Sequence, residues 1–429
     1  MSVATPVPQG ASRTGSIAII GGLFFVFGFV TWLNGPLIAF AKLAFDVSES
    51  YAFLIPSAFY ISYFCLALPA SMILKATGMK KGMALGLFAM ALGAVAFGQF
   101  TTQRWYPGAL GGVFAIGAGL ALLQTAVNPY ISILGPIDSA AQRIAVMGIC
   151  NKVAGAIAPF LLARYVLHGM SDIAAQVAGA DAAQKDVLLN EFAARIHAPY
   201  MGMAALLALL AVAILFSPLP DLRAEDANAA PGAAAAGGAR RSLFQFPHVW
   251  LGALCIFVYV GAEVMAGDAI GIYGQGFGIS LDTTKYFTMF TLIAMLLGYL
   301  LGLALIPRVV SQERYLSLSA LAGVAFAIGA YLTHGFVSVG FVAALGLANA
   351  MMWPAIFPLA IRGLGRLTEA GSALLIMGIA GGAVIPQLFA ALKQHYDFQA
   401  VFALLMVACY LYILFYARRG HRVGMPAAA

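Results

Sequence analysis

Charged side chains occur inside long apolar stretches of this sequence, where they are costly to bury. Lys152 follows Asn151 in the run MGICNKVAGAIAPF, and Glu263 lies in VYVGAEVMAGD, which ends at Asp268. An ionisable group surrounded by apolar residues needs a partner of opposite charge, a water-filled cavity or a changed protonation state. We therefore expect Lys152 and Glu263 to pair. The pair would be either a fixed lock between two helices or part of an ion-coupling device that also includes Asp268.

An amide and an indole lie close together in the segment TWLNGP, at residues 31–36. Asn34 offers both a donor and an acceptor, Trp32 offers a ring face, and Pro36 interrupts the helical hydrogen-bond pattern. This combination suits a neutral sugar, because paired hydroxyls bind the amide while the C–H face of the sugar packs on the indole. The alternative is a proline kink whose amide only packs between helices.

Two more amides are four residues apart in the segment LLQTAVNPYISILGP. Gln124 and Asn128 would share one face of a helix at this spacing. Pro129 follows Asn128 and would loosen the local hydrogen-bond ladder. The pair is therefore a better candidate for substrate binding than either amide alone.

The remaining candidates for substrate binding could equally well be residues that only pack between helices. Trp353 precedes Pro354, and Gln387 follows Pro386, so both lie beside helix breakers. Tyr259 belongs to a group of tyrosines inside apolar runs, with Tyr60 and Tyr63 as the others. We include Trp353, Gln387 and Tyr259 among the predicted substrate-binding residues.

The composition shows which elements must position these side chains. Of the 429 residues, 62% are hydrophobic and 9% are charged, with a mean hydropathy of +0.93. Soluble domains have about 45–50% apolar and about 25% charged residues, which excludes a soluble enzyme, a disordered scaffold and a secreted domain. The net charge of +7 forms no basic stripe, so no nucleic-acid partner is expected. The partner is the lipid bilayer.

Apolar runs of 20 or more residues favour membrane-spanning helices over strands. The sequence predicts an all-α integral membrane protein with twelve transmembrane helices. The predicted spans lie near residues 17–41, 50–75, 82–101, 107–134, 144–167, 198–218, 247–277, 283–306, 314–333, 336–361, 370–392 and 398–417.

The charged loops indicate how the chain is oriented and divided. Lys and Arg concentrate in the tails and the even-numbered loops, as at 80–81, 240–241 and 418–419. Cytoplasmic loops carry this excess, so both termini are predicted to be cytoplasmic. The predicted parts are an N-terminal tail (1–16), a six-helix bundle (17–218), a flexible linker (219–246), a second six-helix bundle (247–417) and a C-terminal tail (418–429). The outer loop at 169–197 is predicted to hold a short surface helix.

Short segments recur between the two bundles at a nearly constant offset. MGI at 147–149 recurs at 377–379, an offset of 230, and FV at 25–26 recurs at 257–258, an offset of 232. Each match is weak alone, but together they indicate a duplicated six-helix unit.

No pattern typical of an enzyme is present. The sequence has no phosphate-binding loop and no metal-ligand spacing, and its four cysteines all lie in apolar runs. We therefore expect neither catalysis, nor a cofactor, nor a bound metal, and we expect a monomer.

Four segments resemble the fucose–galactose–glucose:proton symporter family of the major facilitator superfamily, and bacterial glucose/galactose transporters in particular. They are FFVFGFVTWLNGPLIAF (24–40), LLQTAVNPYISILGP (122–136), RIAVMGICNKVAGAIAP (143–159) and FVYVGAEV (257–264). The resemblance implies two six-helix pseudo-repeats, a bacterial inner-membrane location and alternating access. It also implies that Asn151 occupies a sugar-site position.

Two positions depart from the fucose-type members of that family. Those members have an Asp where this chain has Gly35, and a Glu where it has Gln124. Both acids are associated there with proton coupling and sugar binding. A coupling group in this chain must therefore lie elsewhere, with Glu263 as the first candidate and Asp268 as the second.

The prediction is a secondary active transporter that couples uptake of a neutral hexose, such as glucose or galactose, to a cation. The cation is H⁺ or Na⁺. The open alternatives are an uncoupled facilitator and a transporter of another sugar, such as N-acetylglucosamine or fructose. A drug exporter would need a larger apolar pocket with fewer amides. A non-transporting sugar sensor would need an output domain.

Overall fold

The computed structural model describes residues 13–133, 140–219, 242–306, 309–364 and 367–425. These residues form helices and connecting turns, with no β-strand among them. Most of the predicted linker and both chain ends lie outside the described residues.

Within the described part, twelve helical segments are long and apolar enough to cross a membrane, as the sequence predicts. The spans, numbered in chain order, are Gly15–Ala44, Glu49–Thr77, Met79–Thr102, Tyr106–Val127, Arg143–Tyr165, Ala182–Phe216, Pro247–Gly267, Leu281–Leu305, Gln312–Leu332, Gly335–Ile361, Ala370–Leu392 and Phe398–Arg422.

The helices of the first half are α1 (Arg13–Thr31), α2 (Asn34–Ala44), α3 (Glu49–Ala52), α4 (Leu54–Thr77), α5 (Met79–Thr102), α6 (Tyr106–Ile133), α7 (Ala140–Tyr165), α8 (Met170–Gly179), α9 (Ala182–Ala194) and α10 (His197–Phe216). Those of the second half are α11 (Pro247–Gly267), α12 (Ile270–Gln275), α13 (Leu281–Thr284), α14 (Phe287–Leu305), α15 (Gln312–Leu332), α16 (Gly335–Asn349), α17 (Met352–Ile361), α18 (Thr368–Met377), α19 (Gly381–Leu392) and α20 (Phe398–Arg418). Short 3₁₀ turns lie at Leu243–Gln245, Gly378–Ala380 and Gly420–Arg422.

The first span is broken between α1 and α2, at Trp32 and Leu33. Pro36 explains the break, because its nitrogen has no hydrogen to donate to the Trp32 carbonyl four residues earlier and its ring would crowd that carbonyl. The tenth span breaks in the same way between α16 and α17, four residues before Pro354. The seventh span, predicted as continuous over 247–277, ends at Gly267 and resumes at Ile270. The sequence did not predict this interruption.

The loop predicted at 169–197 contains two helices, α8 and α9, where the sequence predicted one. The second is capped by Asp181, which accepts a hydrogen bond from the Gln184 backbone at 2.8 Å. Ion pairs attach this segment to the loops beside it, from Lys185 to Asp46 at 2.6 Å and from Arg104 to Asp186 at 3.0 Å. We call this end of the bundle, opposite the start of α1, the distal face.

Within each half, one helix crossing depends on a glycine. A Cβ added at Gly28 of α1 would lie 1.8 Å from the carbonyl oxygen of Asn151 in α7. A Cβ added at Gly381 of α19 would lie 1.8 Å from the carbonyl oxygen of Phe257 in α11. Both crossings therefore bring helix backbones into direct contact, as small residues allow in bilayers. They place Asn151 and Lys152 at the centre of the bundle.

Candidate transport site

A buried ion pair joins the two halves of the protein. The Lys152 ammonium lies 3.1 Å from Oε1 of Glu263, with 7% and 13% of the two side chains exposed. Lys152 comes from α7 in the fifth span and Glu263 from α11 in the seventh. The pair predicted from the sequence is therefore present, and each charge is neutralised by the other inside the bundle.

Trp32 completes this pair from the break in the first span. The Lys152 ammonium lies 4.4 Å from the centre of its ring, within the range of a cation–π interaction. A Cβ added at Gly155 or at Gly267 would lie 2.4 Å from a ring atom, so the indole is wedged between the fifth and seventh spans. Its Nε1 is buried and has no hydrogen-bond partner among the described residues.

Tyrosines surround the Glu263 side of the pair. Tyr259, one helical turn earlier, is 1% exposed, and Tyr299 of the eighth span is 5% exposed. Both phenols interact electrostatically with the Glu263 carboxylate. The predicted residue Tyr259 thus belongs to the same cluster as the ion pair.

Asp268 lies in the interruption between α11 and α12 and is 1% exposed. Its Oδ2 accepts a hydrogen bond of 3.2 Å from the hydroxyl of Tyr60 in the second span. Its Oδ1 makes no well-formed hydrogen bond with the described residues. That oxygen faces Gly35, where an added Cβ would lie 3.3 Å from it and 2.6 Å from Oγ1 of Thr288.

The predicted amides lie in three different surroundings. Asn34 is 2% exposed, and its Nδ2 has no hydrogen-bond partner among the described residues. Gln124 is half-buried and donates a hydrogen bond of 3.0 Å to the hydroxyl of Tyr63. Asn151 donates one long hydrogen bond of 3.5 Å to the carbonyl of Phe24. Asn128 lies in α6, but its side chain is outside the described part of the chain.

Two predicted residues make their described contacts elsewhere. Trp353 is half-buried and stacks on Phe357, with ring centres 5.8 Å apart and planes at 24°. Gln387 donates a hydrogen bond of 3.1 Å to the carbonyl of Ser50, and its Oε1 is buried without a partner among the described residues. The structure thus brings Gln387 to a contact between the halves rather than to the ion pair.

A set of polar contacts closes the two halves against each other near the distal face. The Ser57 hydroxyl donates to the Ala383 carbonyl at 3.2 Å, and Lys285 donates to the Leu167 carbonyl at 3.0 Å. Ser171 and Asp282 exchange two backbone–side-chain hydrogen bonds of 3.2 and 3.3 Å. We call this set the distal contact. It comprises Glu49, Ser50, Ser57, Leu167 and Ser171 of the first half with Asp282, Lys285, Ala383, Gln387, Lys393 and Gln394 of the second.

Most residues of the distal contact carry no signal in the sequence that predicts their role. Glu49, Asp282 and Lys393 lie at span ends, where charge indicates only topology in a single sequence. Opposite charges in the distal loops of the two halves could indicate that the halves pair there. Many such pairings are compatible with the sequence, so the sequence does not select the observed one. The sequence does not predict the hydrogen bond from Tyr60 to Asp268 either, because aromatic residues are common in spans.

The arrangement has the chemistry of a polar chamber between two helical bundles. It presents buried amide and indole donors without acceptors and a second carboxyl at breaks in the first and seventh spans, beside an internal ion pair. Among the described residues, no group of three or more His, Cys, Asp or Glu side chains could hold a metal ion.

Comparisons with known proteins agree with this architecture. The family model of the Major Facilitator Superfamily matches residues 20–386. The glucose/galactose transporter of Brucella abortus is 30% identical over 403 residues, which cover 93% of this chain and 92% of that protein. The L-fucose-proton symporter of Escherichia coli is 28% identical over 421 residues, with 95% and 94% covered. A crystal structure of the transporter FucP in the outward conformation matches with a TM-score of 0.74 and 25% identity, over 96% of this chain and 99% of that one.

Proposed function

Because this chain belongs to the major facilitator superfamily, in the branch of the fucose–proton and glucose/galactose transporters, we propose that it is a secondary active sugar transporter. It moves a neutral hexose by alternating access and couples that movement to a cation. The superfamily is one of transporters, so no catalytic step is assigned to any residue.

The observation that carries this proposal is the pair of unsatisfied donors at the break in the first span. Trp32 Nε1 and Asn34 Nδ2 are buried, two residues apart, and have no acceptor among the described residues. Buried polar groups almost always have a partner, so unsatisfied ones at a transport site mark where a ligand's acceptors bind. Sugar hydroxyls are acceptors of this kind, and they also donate to amide oxygens.

The substrate contacts follow from the residues around that break. Asn34, Gln124, Asn128 and Asn151 bind hydroxyl groups, and Trp32 donates from its indole nitrogen. Tyr259 and Trp353 offer aromatic contacts to the apolar face of the sugar. The names of the relatives favour glucose or galactose, with N-acetylglucosamine or fructose as the alternative substrates.

Alternating access takes place between two units, residues 17–218 and 247–417, which the linker at 219–246 connects. The protein lies in the bacterial inner membrane as a monomer with both termini in the cytoplasm, and the distal face is the outer face. The distal contact is then a closed outer gate. Its hydrogen bonds break when the outward-open state forms.

The coupled cation is a proton in the E. coli relative by its name, and we propose proton coupling for this chain. Sodium coupling is the second candidate, because broken-helix carbonyls near a carboxylate can bind Na⁺. An uncoupled facilitator would need only the internal Lys152–Glu263 pair.

Counterflow of radiolabelled glucose into proteoliposomes tests the proposal. We expect exchange in the presence of internal unlabelled glucose. We also expect accumulation driven by an inwardly directed proton gradient, with the outside acidic. Accumulation under a sodium gradient alone would contradict proton coupling, and gradient-independent exchange would indicate a facilitator. Absence of exchange with glucose, galactose, fructose and N-acetylglucosamine would overturn the sugar assignment.

The matched variant for this experiment is Asn34→Ala. It removes one unsatisfied donor without leaving an unpaired group behind, so it should fold normally. We expect the glucose concentration for half-maximal counterflow to rise roughly tenfold, since a hydrogen bond contributes about 0.5–1.5 kcal/mol. The control is Gly22→Ala, because nothing lies within 4 Å of a Cβ added there.

A further inference from the structure

The two buried carboxyls of the site are not equivalent. Glu263 has Lys152 as a hydrogen-bonded cation at 3.1 Å. No described Lys or Arg forms an ion pair with Asp268, although that residue is 1% exposed. Lys152 acts on Asp268 electrostatically, but its ammonium is already bound by Glu263. A carboxylate at Asp268 is therefore uncompensated while the distal contact is closed.

Apart from Lys152, which already pairs with Glu263, the groups named around Asp268 are neutral or acidic. The second span contributes the Tyr60 hydroxyl, which donates to Oδ2 at 3.2 Å. The first span contributes the backbone at Gly35, and the eighth contributes Thr288 beside it. Glu263, on the same span as Asp268, adds a negative charge. A dry environment without a bound cation favours the neutral form of a carboxyl group.

The hydrogen-bond partner of Asp268, Tyr60, lies on the same span as a residue of the distal contact. Tyr60 lies one helical turn after Ser57, whose hydroxyl donates to the Ala383 carbonyl in that contact. The Tyr60 ring also packs on the eleventh span, since a Cβ added at Gly382 would lie 2.9 Å from it. When the second span leaves the eleventh, Tyr60 must leave Asp268 with it, and water reaches the carboxyl.

We propose that Asp268 is the residue that carries the co-transported proton, while Glu263 stays in its ion pair with Lys152. In the outward-open state a proton from outer water binds Oδ1 of the ionised carboxylate, and the Tyr60 hydroxyl donates to Oδ2 again when the second and eleventh spans close. The neutral acid allows the distal contact to close. The proton leaves to cytoplasmic water when the opposite face opens. This inference depends on the proposed sugar transport.

Asp268→Asn tests the assignment, because the amide imitates the protonated acid and cannot titrate. In proteoliposomes, glucose added to wild-type protein should drive proton uptake that a trapped pH dye records. For Asp268→Asn we expect no glucose-driven proton uptake and no accumulation in a pH gradient. Glucose counterflow should remain within about threefold of wild type. The control is Asp172→Asn, an exposed residue of α8, which should behave as wild type in all three assays.

Several outcomes would overturn the inference. Glucose-driven proton uptake by Asp268→Asn would place the proton on another group. Accumulation in wild type that follows sodium and not pH would replace the proton by Na⁺. If wild-type protein exchanges none of the four sugars, the proposed function itself fails. If wild type couples glucose to protons and Asp268→Asn does so as well, only the assignment of Asp268 fails.

Tyr60→Phe keeps the assignment testable if Asp268→Asn does not fold. The Tyr60 hydroxyl stabilises the ionised carboxylate, so its removal should make the proton bind more tightly. We expect the midpoint of the pH dependence of glucose accumulation to move up by about one unit. Tyr63→Phe is the control, because the Tyr63 hydroxyl accepts a hydrogen bond from Gln124 and makes none with Asp268 among the described residues. An unchanged midpoint in Tyr60→Phe would contradict the proposal.

Discussion

The two halves of the protein share a helix crossing and differ in the residues that it presents. In the first half α1 crosses α7 at Gly28 and the Asn151 carbonyl, and in the second half α11 crosses α19 at Gly381 and the Phe257 carbonyl. The repeat offset of 230 relates Asn151 to Gly381. The first half places its glycine on the earlier helix of the pair, and the second half places it on the later one.

This difference separates the site from its surroundings. Lys152, next to the first crossing, reaches across to Glu263. Gly382, the equivalent position in the second half, instead provides room for the Tyr60 ring. At this position the first half therefore supplies the charge of Lys152 to the ion pair. The second half supplies Gly382, against which Tyr60 of the second span packs. Duplicated packing is compatible with chemistry that is present in one copy only.

Removal of the charge that only the first half carries should have the largest effect. Lys152→Met leaves Glu263 buried without a cation, which costs about 3–5 kcal/mol for a broken buried pair. We expect a large drop in the melting temperature of the detergent-solubilised protein, measured by the loss of monodisperse protein on heating. Transport should be abolished.

The double variant Lys152→Met with Glu263→Gln is the matched control for that prediction. It removes both charges, so stability should recover to within about 1 kcal/mol of wild type, since neutral replacements of buried ion pairs are often tolerated. If the double variant is as unstable as Lys152→Met, the ion pair is not what stabilises this part of the interface.

Alanine at either crossing glycine should have the next largest effect, and a similar one in the two halves. Gly28→Ala and Gly381→Ala each place a methyl group 1.8 Å from a backbone carbonyl oxygen. Such overpacking costs typically 1–3 kcal/mol, occasionally more. Melting temperatures of both variants test this, with Gly22→Ala and Gly340→Ala as controls because nothing lies within 4 Å of either added Cβ. A strong effect in one half only would argue against equivalent crossings.

Changes to the amides of the first half should weaken sugar binding without changing stability. For Asn151→Ala and Gln124→Ala we expect a five- to tenfold loss of glucose affinity, the value of roughly one hydrogen bond. Isothermal titration calorimetry measures this loss. Gln387→Ala in the second half should affect affinity less, because Gln387 bonds to Ser50 in the distal contact. Unchanged affinity in both first-half variants would remove them from the site.

The ion pair in the distal contact should have the smallest effect. Lys393 pairs with Glu49 across the two halves, with 15% and 22% of the two side chains exposed. Ion pairs that solvent can reach contribute at most about 1 kcal/mol. Lys393→Met should raise the outward-open population by up to about fivefold, measured by labelling of a cysteine introduced at Ser57. Asp186→Asn, which breaks a pair inside the first half, should leave labelling unchanged.

The sequence was informative where a property depends on one span alone or where a buried charge has few possible partners. Twelve spans follow from hydropathy, and the break at Trp32 follows from Pro36. The Lys152–Glu263 pair could be predicted because two buried opposite charges have few other ways to be neutralised. These constraints are strong enough to act without detailed knowledge of how the helices pack.

The contacts that the sequence does not predict are formed between helices far apart in the chain. Asp268 and Gly35 meet only because the first and seventh spans cross, and Gly35 alone indicates nothing about a carboxyl beside it. The interruption at Asp268 contains no proline, so no local rule predicts it. Gln387 stays a predicted substrate-binding residue, but its hydrogen bond to the Ser50 carbonyl joins two helices far apart in the chain and could not be predicted.

The wedge formed by Trp32 also gives the molecule an optical property. Trp32 is one of four tryptophans, and it alone lies between glycine backbones of the fifth and seventh spans. Trp105 and Trp250 are largely at the surface, with 52% and 40% exposed. In a chain whose other three tryptophans are phenylalanines, the tryptophan fluorescence would come from Trp32 alone. Its emission would shift to longer wavelengths whenever the halves separate enough to let water reach the indole. Each conformational cycle would therefore appear as a shift of the emission maximum.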